Sequence, residues 1–79
     1  MNIGDVLVIG RDKTPLWGPT NNENVSSMWI ELKVNDVVLF LESRRMDGFG
    51  NLKLNYFKVM TCNGIIGWVW EKNIKCKLI

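Results

Sequence analysis

Apolar residues along this chain fall in short runs separated by turn-forming residues, and β-branched and aromatic side chains fill most of those runs. "DVLVI" (Asp5 to Ile9) reads as a first short strand, ended by Gly10. From Arg11 to Ser27 the chain holds both prolines, Gly18 and three asparagines, the composition of a long loop with its own turns. "MWIELKV" (Met28 to Val34) alternates apolar with polar residues and reads as the returning arm of that loop. Asn35-Asp36 then turns the chain into "VVLFLES" (Val37 to Ser43), a nearly continuous apolar run and the best candidate for a buried strand. Arg44 to Asn51 is polar and punctuated by glycine, so a loop is expected there. Leu52 to Thr61 and Ile65 to Trp70 read as two strands of a hairpin, Glu71 to Asn73 as a one-turn connector, and Ile74 to Ile79 as a last strand. The expectation is an all-β fold: a small barrel of about five short antiparallel strands, with a long loop after the first.

The hairpin register decides what Trp68 and Trp70 do, because a slip of one residue exchanges the two faces of a strand. A two-residue turn at Asn63-Gly64 sets Val59 against Trp68 and buries Trp68, Trp70 and Phe57 together. A three-residue turn, Cys62-Asn63-Gly64 with Gly64 left-handed, sets Thr61 against Ile65 and Val59 against Gly67. It gathers Phe57, Val59, Ile65 and Val69 on one face and Tyr56, Lys58, Ile66, Trp68 and Trp70 on the other. Two indoles and a phenylalanine would overfill the inside of so small a barrel, which favours the three-residue turn.

Length narrows the picture further. A chain of 79 residues is one domain, spanning residues 1–79, and its thin core needs most of its large apolar residues. Ten basic and eight acidic side chains give a net charge of +2 without a basic stripe, which counts against a duplex-DNA binder. Alanine and glutamine are missing while Asn, Lys and Ile abound, a bias in keeping with an AT-rich genome such as that of a bacteriophage. The N-terminus "MNIGDVLVIG" lacks the basic start and long apolar run of a signal peptide, so a cytoplasmic setting is expected, host cytoplasm if the source is viral. No apolar run approaches the length of a membrane span. In that reducing setting Cys62 and Cys76 are expected as two ordinary buried or half-buried thiols.

At this point two segments, "ELKVNDVVLFLE" and "YFKVMTCNGIIGWVWEKNI", resemble the SH3 and bacterial SH3-like barrel pattern. Tyr56, Phe57 and Val59 stand where that pattern has an aromatic pair and a valine; Gly67, Trp68, Val69 and Ile74 match its closing segment. The match runs from Glu31 to Ile74, about half the chain. It implies the barrel and a ligand groove, with Tyr56 and Trp70 at the places of the groove tryptophan and groove proline. The first strand carries no tyrosine, Asn73 stands where the last groove tyrosine would be, and the long loop has no acidic cluster. Recognition of PxxP segments is therefore not what the resemblance implies here.

The chemistry of an active site is missing. Without histidine a nucleophilic Ser or Cys has no imidazole base, and a zinc site lacks ligands. No enzyme activity, metal or cofactor is expected. Asp5 and Asp36 read as turn caps, and Arg44-Arg45 as a solvated loop pair. Trp29 reads as structural. The candidate partner-binding residues are Tyr56, Trp70, Trp17, Trp68 and Lys58: stiff aromatics offering large contact area at low entropy cost, beside one cation. The main expectation is a protein- or peptide-binding module. Single-stranded nucleic acid stacked on those aromatics near Lys58, Lys53, Arg44 and Arg45 is the alternative. Further readings are a module for cell-wall peptide or glycan and a subunit whose aromatic face is a permanent interface.

Overall fold

The computed structural model of the chain describes residues 1–18, 28–47 and 52–78. Seven strands follow in order: β1 (Val6–Ile9), β2 (Thr14–Trp17), β3 (Met28–Leu32), β4 (Val37–Asp47), β5 (Lys53–Thr61), β6 (Ile66–Trp70) and β7 (Ile74–Leu78). A single 3₁₀ turn, Glu71–Asn73, separates β6 from β7. All the described pairings are antiparallel, in the order β3-β2-β6-β5-β4-β1-β7, and the sheet curls into a half-barrel. There is no α-helix among the described residues, and no helix is long and apolar enough to cross a membrane.

Two strands more than expected are present, and both come from the segment read as loop and returning arm. β2 holds Pro15, which cannot donate to a ladder, so "TPLW" carries no strand signal of its own. Tertiary packing makes it a strand: Leu16 is fully buried in the core, and Trp17 pairs with Trp68 of β6. The rest of that segment, residues 19–27, lies outside the described residues, as does the side chain of Trp29.

The second correction concerns Arg44 to Asp47, which continue β4 instead of forming a loop. They pair residue for residue with β5, from Arg44 against Tyr56 to Asp47 against Lys53. The sequence hid this because of a bulge. Phe40 faces Val59 and Glu42 faces Lys58, so Leu41 stands between them without an opposite residue. The extra residue reverses the alternation: Val38 and Phe40 point into the core, whereas Glu42, Arg44 and Met46 share the opposite face with Lys58, Tyr56 and Leu54.

The main core lies on the concave side. Leu7, Ile9, Leu16, Leu32, Val38, Phe40, Val59 and Val69 are buried there, with Phe57, Ile65 and Ile74 packed against them. Phe40 and Phe57 meet edge to face at 5.3 Å, an arrangement worth about 0.5–1.5 kcal/mol beyond the area they bury. Turns between the strands are closed by side chains. Asp5 and Asp36 each accept a hydrogen bond from the backbone N–H three residues earlier, on Asn2 at 2.8 Å and Lys33 at 2.9 Å. In both turns the third residue is left-handed, Gly4 with φ 94° and Asn35 with φ 72°, so "NIGD" and "KVND" are one device used twice.

Candidate functional site

The hairpin between β5 and β6 takes the three-residue turn. Thr61 donates to the Ile65 carbonyl at 2.9 Å, the Gly64 N–H reaches the Thr61 carbonyl at 2.9 Å, and Gly64 has φ 82°. Val59 therefore faces Gly67, Lys58 faces Trp68 and Tyr56 faces Trp70. Phe57, Val59, Ile65 and Val69 belong to the main core, while the aromatic residues lie on the other face.

That other face is a second small core rather than an open aromatic floor. Met46, Tyr56 and Trp68 are buried in it, with 4% of Tyr56 and 2% of Trp68 exposed. Trp17, Leu54 and Trp70 pack around them, each half-buried. The guanidinium of Arg44 lies over the Trp68 ring, 5.1 Å from its centroid, and is held from behind by Glu42 at 2.8 Å. Arg44 thus shields an indole face where a solvated loop residue was expected. Lys58, half-buried, stands across from Trp68 and beside Glu42. Of the five candidate residues, Tyr56 and Trp68 sit beneath the surface; Trp17, Trp70 and Lys58 keep part of theirs.

Burial pushes the Tyr56 phenol above its ordinary pKa of 10.0. The folded state holds this proton more tightly than the unfolded chain. Its contribution to stability is therefore complete below the unfolded pKa and is lost as pH rises through the folded value. Because Tyr56 is the chain's one tyrosine, absorbance of tyrosinate reports it alone. The expected curve has a midpoint above 10.0, moving back to that ordinary value in denaturant. A native midpoint at or below it would mean the ring is solvated.

Trp70 lines a cleft of about 230 Å³ together with Pro15, Asn73 and the turn Arg11 to Lys13. Four local features shape this cleft. Thr14 donates its hydroxyl proton to the Arg11 carbonyl at 2.6 Å, closing the turn, and Lys13 is left-handed with φ 55°. Asp12 accepts the Val34 N–H at 3.3 Å, tying the turn to the bend between β3 and β4. On the opposite wall Gly10 donates to the Asn73 carbonyl at 2.8 Å, which seats the 3₁₀ turn and Trp70 with it. A left-handed lysine costs about 1–2 kcal/mol relative to its preferred backbone, so the surrounding contacts hold this turn in place. Sequence reading did not find Pro15, Lys13 or Asn73 as neighbours of Trp70. From the long loop it brought only Trp17 to the Tyr56–Trp70 pair, and Trp17 does share their cluster.

Both cysteines are free and exposed, contrary to the buried or half-buried setting expected for them. Cys62 lies in the three-residue turn and Cys76 on the last strand of the sheet, positions the core does not reach. Among the described residues no three His, Cys, Asp or Glu side chains gather in a way that would hold a metal. Compared with protein-family models, curated proteins and solved structures, the chain matches none.

Proposed function

We propose that this chain is a non-catalytic binding module of SH3-like architecture that takes a short protein segment in the cleft beside Trp70. The architecture is supported by the order of its elements: a first strand, an excursion carrying the β2–β3 pair, a three-strand meander, a 3₁₀ turn and a closing strand beside the first. The observation that carries the binding role is the half-exposed indole of Trp70, set in a cleft against Pro15 and a left-handed turn. Aromatic rings partly buried in a preformed cleft offer contact area with little entropy left to lose. Trp17 supplies a second half-exposed indole on the same aromatic face, and Tyr56 and Trp68 hold both in place from below. Arg11 and Lys13 outnumber Asp12 on the cleft wall, which favours a segment with acidic or carbonyl groups toward that side. A groove of this size supports affinities around the micromolar range.

The test is a nitrogen–proton NMR titration that follows the four indole N–H signals, with a pooled peptide mixture and a short single-stranded oligonucleotide added separately. Peptide is expected to move the Trp70 and Trp17 signals and leave Trp68 still. Trp70→Ala is expected to remove that response while the remaining spectrum stays folded. Shifts driven by the oligonucleotide, weakening steeply with salt, would replace this reading with nucleic-acid binding.

A further inference from the structure

The turn that walls the Trp70 cleft reads Arg11-Asp12-Lys13, and the fold sorts its charges by side. β2 lies between β3 and β6, and the cleft, walled by Pro15 and Trp70, is on the β6 flank of β2. Asp12 contributes to the wall, yet its carboxylate is drawn to the other flank: Oδ1 accepts the Val34 N–H at 3.3 Å, in the bend that follows β3. Glu71 comes directly after Trp70 but reaches the far side of β6, where its Oε1 accepts a hydrogen bond from Asn55 of β5 at 3.2 Å. On the β3 side, Asp36 is engaged by the Lys33 N–H. Glu31, opposite Pro15, lines a separate cleft together with Lys33, one charge of each sign. The carboxylates of Asp12 and Glu71 are thus both held off the Trp70 cleft by hydrogen bonds to its outer neighbours.

Arg11 and Lys13, both exposed, line the cleft itself. The other end of the chain brings two more cations close to them. Gly10 donates to the Asn73 carbonyl at 2.8 Å, which sets the 3₁₀ turn and its exposed Lys72 against the base of the Arg11 turn. Gly10 also packs on Lys75: a methyl group on it would lie 3.0 Å from the Lys75 Cβ. Arg11, Lys13, Lys72 and Lys75, from two distant segments, therefore gather near one half-buried indole. Elsewhere cations are engaged within the protein, Arg44 with Glu42 at 2.8 Å and Lys77 with Asp5 at 3.8 Å.

Given the binding role of Trp70, on which this assignment rests, we propose that the segment held in its cleft is an acidic stretch of a partner protein. An apolar residue lies against Trp70 and Pro15, and Asp or Glu on either side of it is directed to Arg11, Lys13, Lys72 and Lys75. Charges at the rim steer the encounter and reject basic segments, while the indole supplies contact area. A nucleic-acid strand needs a row of cations along its path and several open rings for successive bases. Here the cations sit about a single indole, Tyr56 and Trp68 are buried, and the Trp68 ring lies under Arg44.

The probe is the peptide acetyl-Glu-Asp-Leu-Glu-Asp-amide, compared with acetyl-Gln-Asn-Leu-Gln-Asn-amide, which keeps its shape and removes its charge. In NMR the acidic peptide is expected to move the Trp70 indole and the backbone amides of Lys13 and Lys72. At low salt it should bind about tenfold more tightly than the neutral one, since each exposed charge pair contributes about two- to fivefold at best. That advantage should shrink to about twofold near 0.5 M salt. Arg11→Gln with Lys72→Gln, two exposed changes, should reduce it to about twofold at low salt as well. Equal affinity of the two peptides, with Trp70 responding to both, overturns the acidic assignment and leaves the binding role intact. So does silence toward the acidic peptide where the pooled peptide mixture moves Trp70. Tighter binding of a single-stranded oligonucleotide of equal charge overturns it in favour of phosphate. If Trp70 answers to none of these, the binding role itself falls, and the assignment with it.

Discussion

Gly67→Ala is expected to remove a large share of the chain's stability. Gly67 sits opposite Val59 on the concave side of β6, where β2 crosses closest. A methyl group there would lie 2.5 Å from the Trp17 carbonyl oxygen and 2.8 Å from Leu16 Cγ. The first is backbone, so no rotamer change relieves it, and the second belongs to a fully buried side chain. The chain must part β2 from β6 or shift both, at a cost of about 3 kcal/mol or more. A chain of this length holds about 4–12 kcal/mol in all. Parting the strands would also uncover Leu16 and undo the Trp17–Trp68 pair. The control is Gly64→Ala: that residue has φ 82° but nothing within 4 Å of the added carbon, so only backbone strain of about 1 kcal/mol is expected. Urea denaturation of the two variants should rank them far apart. If Gly67→Ala kept the parent midpoint, β2 would not lie against β6 as described.

The same glycine explains what the sequence could and could not tell. The hairpin register was legible because its residues sort by chemistry: β-branched side chains and Phe57 go to one face, indoles and Lys58 to the other. The Asp36 turn was legible because Asn35 tolerates a left-handed backbone and Asp36 reaches back to a nearby N–H. β2 was not legible, because four residues with a proline become a strand only when a distant glycine lets them approach. Nor was the tail of β4, where "SRRMD" has a loop's polarity and the bulge at Leu41 moves Met46 to the aromatic face. That bulge is why Tyr56 and Trp68 are covered. The aromatic cluster was found from sequence, but its roof was not.

Trp68→Ala follows from that roof, and it is the substitution that separates support from contact on the aromatic face. Trp68 is 2% exposed, packed with Met46 and Tyr56, paired across the sheet with Lys58 and Trp17, and capped by Arg44. Removing a buried indole costs about 3–5 kcal/mol, because the emptied volume is refilled only in part. Trp70, half-buried at the end of the same strand, gives up less: about 1–2 kcal/mol is expected for Trp70→Ala, with the larger loss in binding. Arg44→Ala should cost no more than about 1 kcal/mol, since an exposed ion pair and a ring contact are each weak in water. It would nevertheless let water reach the indole, shifting tryptophan emission to longer wavelength at nearly unchanged stability. Denaturation midpoints and emission spectra of the three variants check the set together. Should Trp70→Ala prove the more destabilising of the two tryptophan changes, the face would be a core throughout, and the cleft beside Trp70 would lose its claim to a ligand.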